Sequence, residues 1–483
     1  MATEIKRNPR TLRRTFSLID LSSLSLSSVG PAFSISAAAG VMIGYSGIYS
    51  LLAIFLIAIP FIISAFIFRV LNQHFPQSGA SYHWSARVIG VKDSRFQGWV
   101  IILAYFSSLP PIVLPAAQYT IALLHPAWQA DLWAEILMST FWLLFALILL
   151  LSGTRPTARI TQLFLAIEMI FLLGFSVIGI AMLPHAHFPT WHGKPPIAGI
   201  LLTMVVATTI LDGWEIDSYA SEESAKPKQD PGIGGIIGAL IALFIYAVLF
   251  PLIIGETPIT ALANSPDPMV AWTNHIAPFL SSAIRESILI PILASTAGSL
   301  WLTGYILIRA LFAMGRDQLI FPAFAKLNRR GSPAVATVIV FVAVWLITML
   351  QLFVSSLDTF FAIILSTAGF FLTLEFMLDS FTATIFLWKR HRNGHFGDLS
   401  WHSHRVMAIG AVFTTVYLFA VLVAFVMLSP QLISPWSDGA VFGLLVAGVI
   451  FMLYPRKLSH RMHIVHFDDE SVVKSASVSS NGV

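Results

Sequence analysis

The sequence predicts an all-α polytopic membrane protein with twelve transmembrane helices. Three observations lead there. The 483 residues are 57% hydrophobic and 11% charged, with a mean hydropathy of +0.80, whereas soluble chains carry about a quarter charged residues. Twelve apolar runs, at 18–44, 48–70, 97–124, 133–152, 158–183, 198–221, 232–255, 287–314, 334–353, 358–388, 405–428 and 439–455, are near the ~20 residues that cross a bilayer. With the N-terminus in the cytoplasm, 26 of the 28 Lys and Arg fall on the cytoplasmic side, and only Lys194 and Arg285 fall outside, as the positive-inside bias requires.

In chain order, residues 1–17 form a polar, basic cytoplasmic tail. No cleavable leader is expected, because the apolar run from Leu18 continues into a full span. The core follows at 18–392, with one half at 18–183 and a second at 198–392. Leu21 to Phe68 holds no Asp, Glu, Lys or Arg and has Gly44 and Gly47 near its middle, so it reads as a helical hairpin. The outer segment Glu256 to Glu286 has four prolines and is expected as a short lid or loop. Two more spans lie in 405–455. The Ser-rich stretch 456–483 is expected as a disordered cytoplasmic tail. The chain has no cysteine, which excludes disulfides and thiolate chemistry.

Two spans carry breaks. The sixth contains Thr208-Thr209-Ile210-Leu211-Asp212-Gly213-Trp214-Glu215-Ile216-Asp217. A carboxylate at mid-membrane costs at least ~2.5–3.5 kcal/mol, so three acids beside a glycine point to an unwound helix that coordinates something polar. The first contains Ser27-Ser28-Val29-Gly30-Pro31-Ala32-Phe33-Ser34, and Pro in mid-helix interrupts the hydrogen-bond ladder. Unpaired backbone at membrane depth is tolerated where it lines a cavity. Spans 1 and 6 open two five-span halves, the pattern of an inverted-repeat transporter.

Four motifs add a resemblance. They are Phe75-Pro76-Gln77-Ser78-Gly79-Ala80-Ser81-Tyr82-His83-Trp84, then Gly213-Trp214-Glu215 leading to Ser221-Glu222-Glu223-Ser224-Ala225-Lys226-Pro227, then Arg309-Ala310-Leu311-Phe312-Ala313-Met314-Gly315-Arg316-Asp317, and Pro322-Ala323-Phe324 with Gly331-Ser332-Pro333. In this order the chain resembles the amino acid–polyamine–organocation permeases over about residues 12–455. The resemblance implies a LeuT-like fold, with spans 1–5 and 6–10 as inverted repeats and spans 11–12 peripheral. It implies that the first break offers amides to a substrate carboxylate and the second offers carbonyls to its amine. Carried over, Ser27, Gly30, Ala32 and Ser34 form one wall, and Thr209, Asp212 and Gly213 form the other. Trp214 and Phe33 close over the ligand. Glu215 matches the glutamate of the Gly-x-Glu pattern, which braces the break or takes part in coupling. Pro31 departs from the family's turn by removing one amide donor. Glu168 stands where many relatives place a lysine.

Glu375 and Asp379 lie one turn apart on span 10. With Glu168, Asp212, Glu215 and Asp217 they make six intramembrane acids. Either some of them carry protons for coupling, with Glu168, Glu215, Asp217 and Glu375 as coupling or gating groups, or they attract a cationic substrate. Glu222 and Glu223 are expected at the cytoplasmic end, paired with Lys226, Lys228 or loop arginines. The His185, His187, His192 and His402, His404 groups read as solvated loop residues, without metal-site spacing. No phosphate-loop, His-Glu-x-x-His or Gly-x-Ser-x-Gly pattern supports an enzyme.

The expected function is secondary amino acid transport by alternating access, proton-coupled or exchanging, with no cofactor and with sodium ranked behind the proton. A diamine, polyamine or cationic amino acid is the alternative substrate class. A channel or a non-transporting sensor on the same fold is the alternative of another kind. The expected setting is a bacterial or archaeal cell membrane, with both termini cytoplasmic, lipid and a small amino-bearing substrate as partners, and no nucleic acid. The sequence is silent on oligomeric state.

Overall fold

Gly30 turns left-handed inside the first apolar run. Its φ of 56° ends α1 (Leu18–Val29) and begins α2 (Pro31–Ser46). Pro31 is the first residue of α2, where its ring suits the helix and its missing N–H is one the helix does not use. The computed structural model describes residues 12–188, 195–265, 267–350, 357–392, 401–432 and 435–453. Among them, apart from two isolated bridges, all regular structure is helical.

Gly47, at φ 58°, separates α2 from α3 (Ser50–His74), so the uncharged stretch folds as two arms, the first broken at Gly30 into α1 and α2 and the second being α3, with the hinge at Gly47 and Gly44 inside α2. α4 (Ala80–Val88), α5 (Val91–Ser108), α6 (Pro110–Leu124), α7 (Leu132–Leu151) and α8 (Thr154–Met182) follow. α9 (Ile197–Leu211) stops at Asp212. Residues 212–215 run non-helically, with Gly213 at φ 107°, into the single turn α10 (Ile216–Tyr219). α11 (Ile233–Glu256) comes next. The proline-containing outer segment is more ordered than a loop. It forms α12 (Ile259–Ala263), α13 (Pro268–Ile276) and α14 (Ser282–Glu286), and Trp272 of α13 donates its indole N–H to Glu256 at 2.7 Å. α15 (Leu289–Arg316), α16 (Ala334–Met349), α17 (Leu357–Arg392), α18 (Trp401–Leu432) and α19 (Pro435–Leu453) complete the chain.

Among the described residues, eight helical stretches are long and apolar enough to cross a membrane. The first, Leu18–His74, contains α1, α2 and α3, and three further apolar helices, Ile197–Leu211, Ala334–Met349 and Val441–Leu453, are shorter. Burial sorts them. Every residue of α15 from Ala294 to Gly315 is buried, which marks the helix at the centre of the bundle. α8 instead has two faces. Leu163, Ile170, Leu173 and Val177 are exposed, while Thr161, Glu168, Leu172 and Phe175 are buried. An exposed stripe this apolar is suited to lipid.

The end of the expected N-terminal tail is also paired. The Thr15 and Phe16 N–H groups donate to the Glu223 carbonyl at 2.7 and 3.0 Å, and the Ala225 N–H donates to the Phe16 carbonyl at 2.8 Å. Ser17 then caps α1 in a reciprocal box with Asp20. Residues 1–11 and the expected tail 456–483 lie outside the described residues.

Candidate functional site

The two breaks touch. A Cβ on Gly213 would lie 2.7 Å from the Ser28 backbone carbon, and one on Gly30 would lie 2.2 Å from Ser299 Oγ of α15. Glycine lets the Gly213 backbone approach that of Ser28, and the Gly30 backbone approach the Ser299 hydroxyl. Beside the contact is a cavity of about 40 Å³. That is room for a water or two, so the walls must part to admit anything larger. Its polar wall is Ser28, Ser34, Ser108, Thr209, Asp212, Ser299 and Thr303, and its apolar wall includes Val29, Phe33, Ile112, Ile210 and Leu365.

Two polar atoms at this cavity have no partner within the protein: Asp212 Oδ1 and Ser28 Oγ, both buried. A buried polar atom left unpaired is costly, and these two lie where the cavity could hold a polar partner. The Ser34 hydroxyl instead donates to the Val29 carbonyl at 2.7 Å, and the Thr209 hydroxyl donates to the Val206 carbonyl at 2.7 Å. Both satisfy backbone near a break.

The other wall residues expected from the sequence are placed differently. The Ala32 N–H donates to Glu168 Oε1 at 3.0 Å, Ser295 donates to the same oxygen at 2.7 Å, and the Phe33 N–H donates to Ser295 Oγ at 3.1 Å. The amides at the α2 N-terminus therefore receive the protein's own carboxylate, the charge a helix N-terminus favours. Pro31 is not what limits this cradle. Ser27 lies at the α1–α15 contact, with its carbonyl accepting from the Ser299 hydroxyl at 3.3 Å. Trp214 does not close over the cavity. Its ring stands 5.0 Å from Phe68 and 5.5 Å from Phe376, centroid to centroid, in an aromatic cluster.

The acids divide by role. Glu215 accepts the Gly213 N–H at 2.9 Å and the Tyr105 hydroxyl at 3.1 Å, so it braces the break. Glu375 accepts the Tyr219 hydroxyl at 2.6 Å, and Asp379 accepts the Ser81 hydroxyl at 2.7 Å. Asp217 is not free for coupling or gating as expected. It accepts the Gly232 and Gly235 N–H groups at 2.5 and 2.6 Å, a cap on the N-terminus of α11.

At the end of the bundle expected to face the cytoplasm, Glu223 binds Arg309 through two contacts of 2.8 Å and also accepts from Tyr305. Glu222 binds Arg316 at 2.8 and 2.7 Å and accepts the Ser78 N–H at 3.0 Å. The partners are arginines of α15, not Lys226 or Lys228. Burial by itself would push the Glu222 carboxyl up, but the Arg316 guanidinium and the Ser78 N–H outweigh it and hold the group below the usual carboxylate range.

Sequence reasoning missed Ser28, Tyr105, Tyr219, Ser295 and Ser299. Tyr219 had a local signal, since it follows Glu215 by four residues. Ser28 stood inside the first break motif beside Ser27, while Tyr105, Ser295 and Ser299 reach the site from distant helices.

The profile of the family described as amino acid permease matches residues 16–452. The branched-chain amino acid permease BcaP of Lactococcus lactis is 24% identical over 54% of this chain and 59% of its own length. The cationic amino acid transporter 3 of Arabidopsis thaliana is 22% identical over 63% of this chain and 53% of its own length. The match thus spans less than two thirds of either relative. Two solved structures share the fold: MhsT in complex with L-phenylalanine, at TM-score 0.56 and 12% identity over 86% of this chain and 99% of its own, and the Eremococcus coleocola manganese transporter, at 0.53 and 13% over 93% and 99%. At these identities the likeness concerns the fold, which is the LeuT type that the resemblance implied. With the profile covering almost its whole length, the chain belongs to the amino acid permease family.

Proposed function

We propose that this protein carries amino acids across a membrane by alternating access, with a proton as the coupling ion. The observation that supports this most directly is the meeting of two helix breaks, at Gly30 and at residues 212–215, beside a small closed cavity with one unpartnered carboxylate oxygen. Asp212 Oδ1 takes the substrate's ammonium, and the Ser28 hydroxyl donates to its carboxylate. The eight long and three shorter apolar helices, with the first long stretch folded as two spans, fit twelve spans in two inverted halves with both termini cytoplasmic.

One acid lines the cavity, and Val29, Phe33, Ile112, Ile210 and Leu365 surround the rest. That chemistry suits a neutral, apolar amino acid with a single cationic head. A second reading, a diamine or cationic amino acid, draws on one observation: Glu168 and Ser295 already fill the Ala32 and Phe33 amides that would hold a carboxylate. A thermal-shift screen of the purified protein against L-leucine, L-arginine, putrescine and spermidine tests both, because a ligand that binds the folded state raises its melting temperature. Stabilisation by leucine is expected. Stabilisation by the amines alone would replace the first reading with the second.

A further inference from the structure

A row of hydrogen-bonded acids and hydroxyls leads away from the cavity. It begins at Asp212 in the cavity wall, three residues before Glu215, whose carboxylate accepts the intervening Gly213 N–H at 2.9 Å. The Tyr105 hydroxyl of α5 stands 3.1 Å from Glu215 Oε1 and 3.3 Å from Glu375 Oε1. The Ser81 hydroxyl of α4 stands 3.2 Å from Glu375 Oε1 and 2.7 Å from Asp379 Oδ2. Tyr219 of α10 joins the middle, at 2.6 Å from Glu375 Oε1 and 3.2 Å from Ser81 Oγ. Gln97 of α5 ends it, donating to Asp379 Oδ1 at 3.3 Å.

A hydroxyl can give one proton and accept another, and Tyr105, between two carboxyl groups, is placed to do both. Glu375 Oε2 is open to a further proton. It is fully buried and has no partner, while three hydroxyls crowd Oε1. The titratable groups facing one another here are Asp212, Glu215, Glu375, Asp379, Tyr105 and Tyr219. Among the described residues no Lys, Arg or His lies within ion-pair distance of the four acids. Nor do they converge as a metal-holding group among those residues. Their arrangement is a line.

We propose that this line is the path by which a proton passes between the cavity and the cytoplasmic half of the protein. It rests on the proton-coupled reading above and gives that reading a route. A proton arriving at Asp212 passes to Glu215. Tyr105 gives its own proton to Glu375 and takes one from Glu215. Ser81 does the same between Glu375 and Asp379. Each O–H bond broken is matched by one formed, and one proton leaves for each that enters.

The test uses the full chain in vesicles of phosphatidylethanolamine and phosphatidylglycerol, with a pH-sensitive dye inside and labelled L-leucine or L-arginine outside. Tyr105→Phe and Ser81→Ala each remove a single oxygen, and Glu375→Gln serves as a third variant. Melting temperatures close to that of the unsubstituted protein establish that each folds. The expected result is that pH-driven accumulation and dye acidification both fall by ~100-fold in the variants, the lower range of what a positioned proton-transfer group contributes, while amino acid exchange, which moves no net proton, persists. If Tyr105→Phe and Ser81→Ala both acidify the lumen at the original rate, the path is wrong and proton coupling still stands. If the unsubstituted protein accumulates amino acid without acidification, both the path and the coupling fall while amino acid transport stands.

Discussion

Glu168 accepts the Ala32 N–H at 3.0 Å across the break that separates α1 from α2. The same oxygen takes the Ser295 hydroxyl, so one carboxylate joins α8, α2 and α15 at the point where the first span loses its own ladder.

Glu168→Gln keeps an oxygen for both donors and should melt close to the original protein. Glu168→Ala leaves two buried donors unpaired and should lose ~1–3 kcal/mol for each. Thermal unfolding in detergent separates the two. If Glu168→Gln and Glu215→Gln both leave pH-dependent uptake unchanged, neither residue couples transport to protons.

Arg309 and Arg316 should differ in weight. Arg309→Ala strands a fully buried Glu223, a loss of ~3–5 kcal/mol. Arg316→Ala breaks a pair whose side chains are 26% and 19% exposed, so water partly replaces the lost partner and the cost should be smaller. Denaturant melts of both variants check the ranking.

The Glu222 pair also sets a pH dependence. Its folded-state pKa lies below the unfolded value, so its contribution is full above the unfolded pKa and is lost as pH falls through the folded one. An acid titration of stability should therefore flatten in Glu222→Gln. An unchanged acid limb would remove Glu222 from the account.

Gly213→Ala places a Cβ against the Ser28 backbone at a φ of 107°. Strain of ~1–3 kcal/mol and separation of the breaks should abolish uptake and lower the melting temperature together. Retention of transport would mean the contact is dispensable.

Asp217→Asn and Asp212→Asn make a contrasting pair. The first removes the charge that caps α11 and should cost ~0.5–2 kcal/mol with ligand affinity intact. The second should weaken L-leucine strongly, because Asp212 receives its ammonium in the proposed reading, and a far larger loss for L-arginine or putrescine would mean that the Asp212 charge selects cations. Equal losses would end that argument, and calorimetric titration reads both.

Much of this was legible in the sequence because it is local. Gly30-Pro31 and Asp212-Gly213 mark their breaks by conformational preference alone, and the charge distribution gives the spans an orientation to test. What stayed hidden depends on rotation about helix axes. Trp214 follows Gly213 directly, yet its ring turns toward Phe68 and Phe376, a choice made by residues far along the chain. Asp217 looked like its acidic neighbours, and only the position of the α11 N-terminus makes it a cap. Tyr105 and Ser295 carry no local sign that they meet carboxylates from other helices.

The strap formed by Thr15 and Phe16 against Glu223 and Ala225 ties the entry of α1 to the exit of α10. The same two segments also meet at Ser28 and Gly213. A bar fastened at both ends turns as one piece. The piece so formed is pinned on two sides, to α15 through Glu223 with Arg309 and Glu222 with Arg316, and to α11 through Asp217 and the glycines that admit α1.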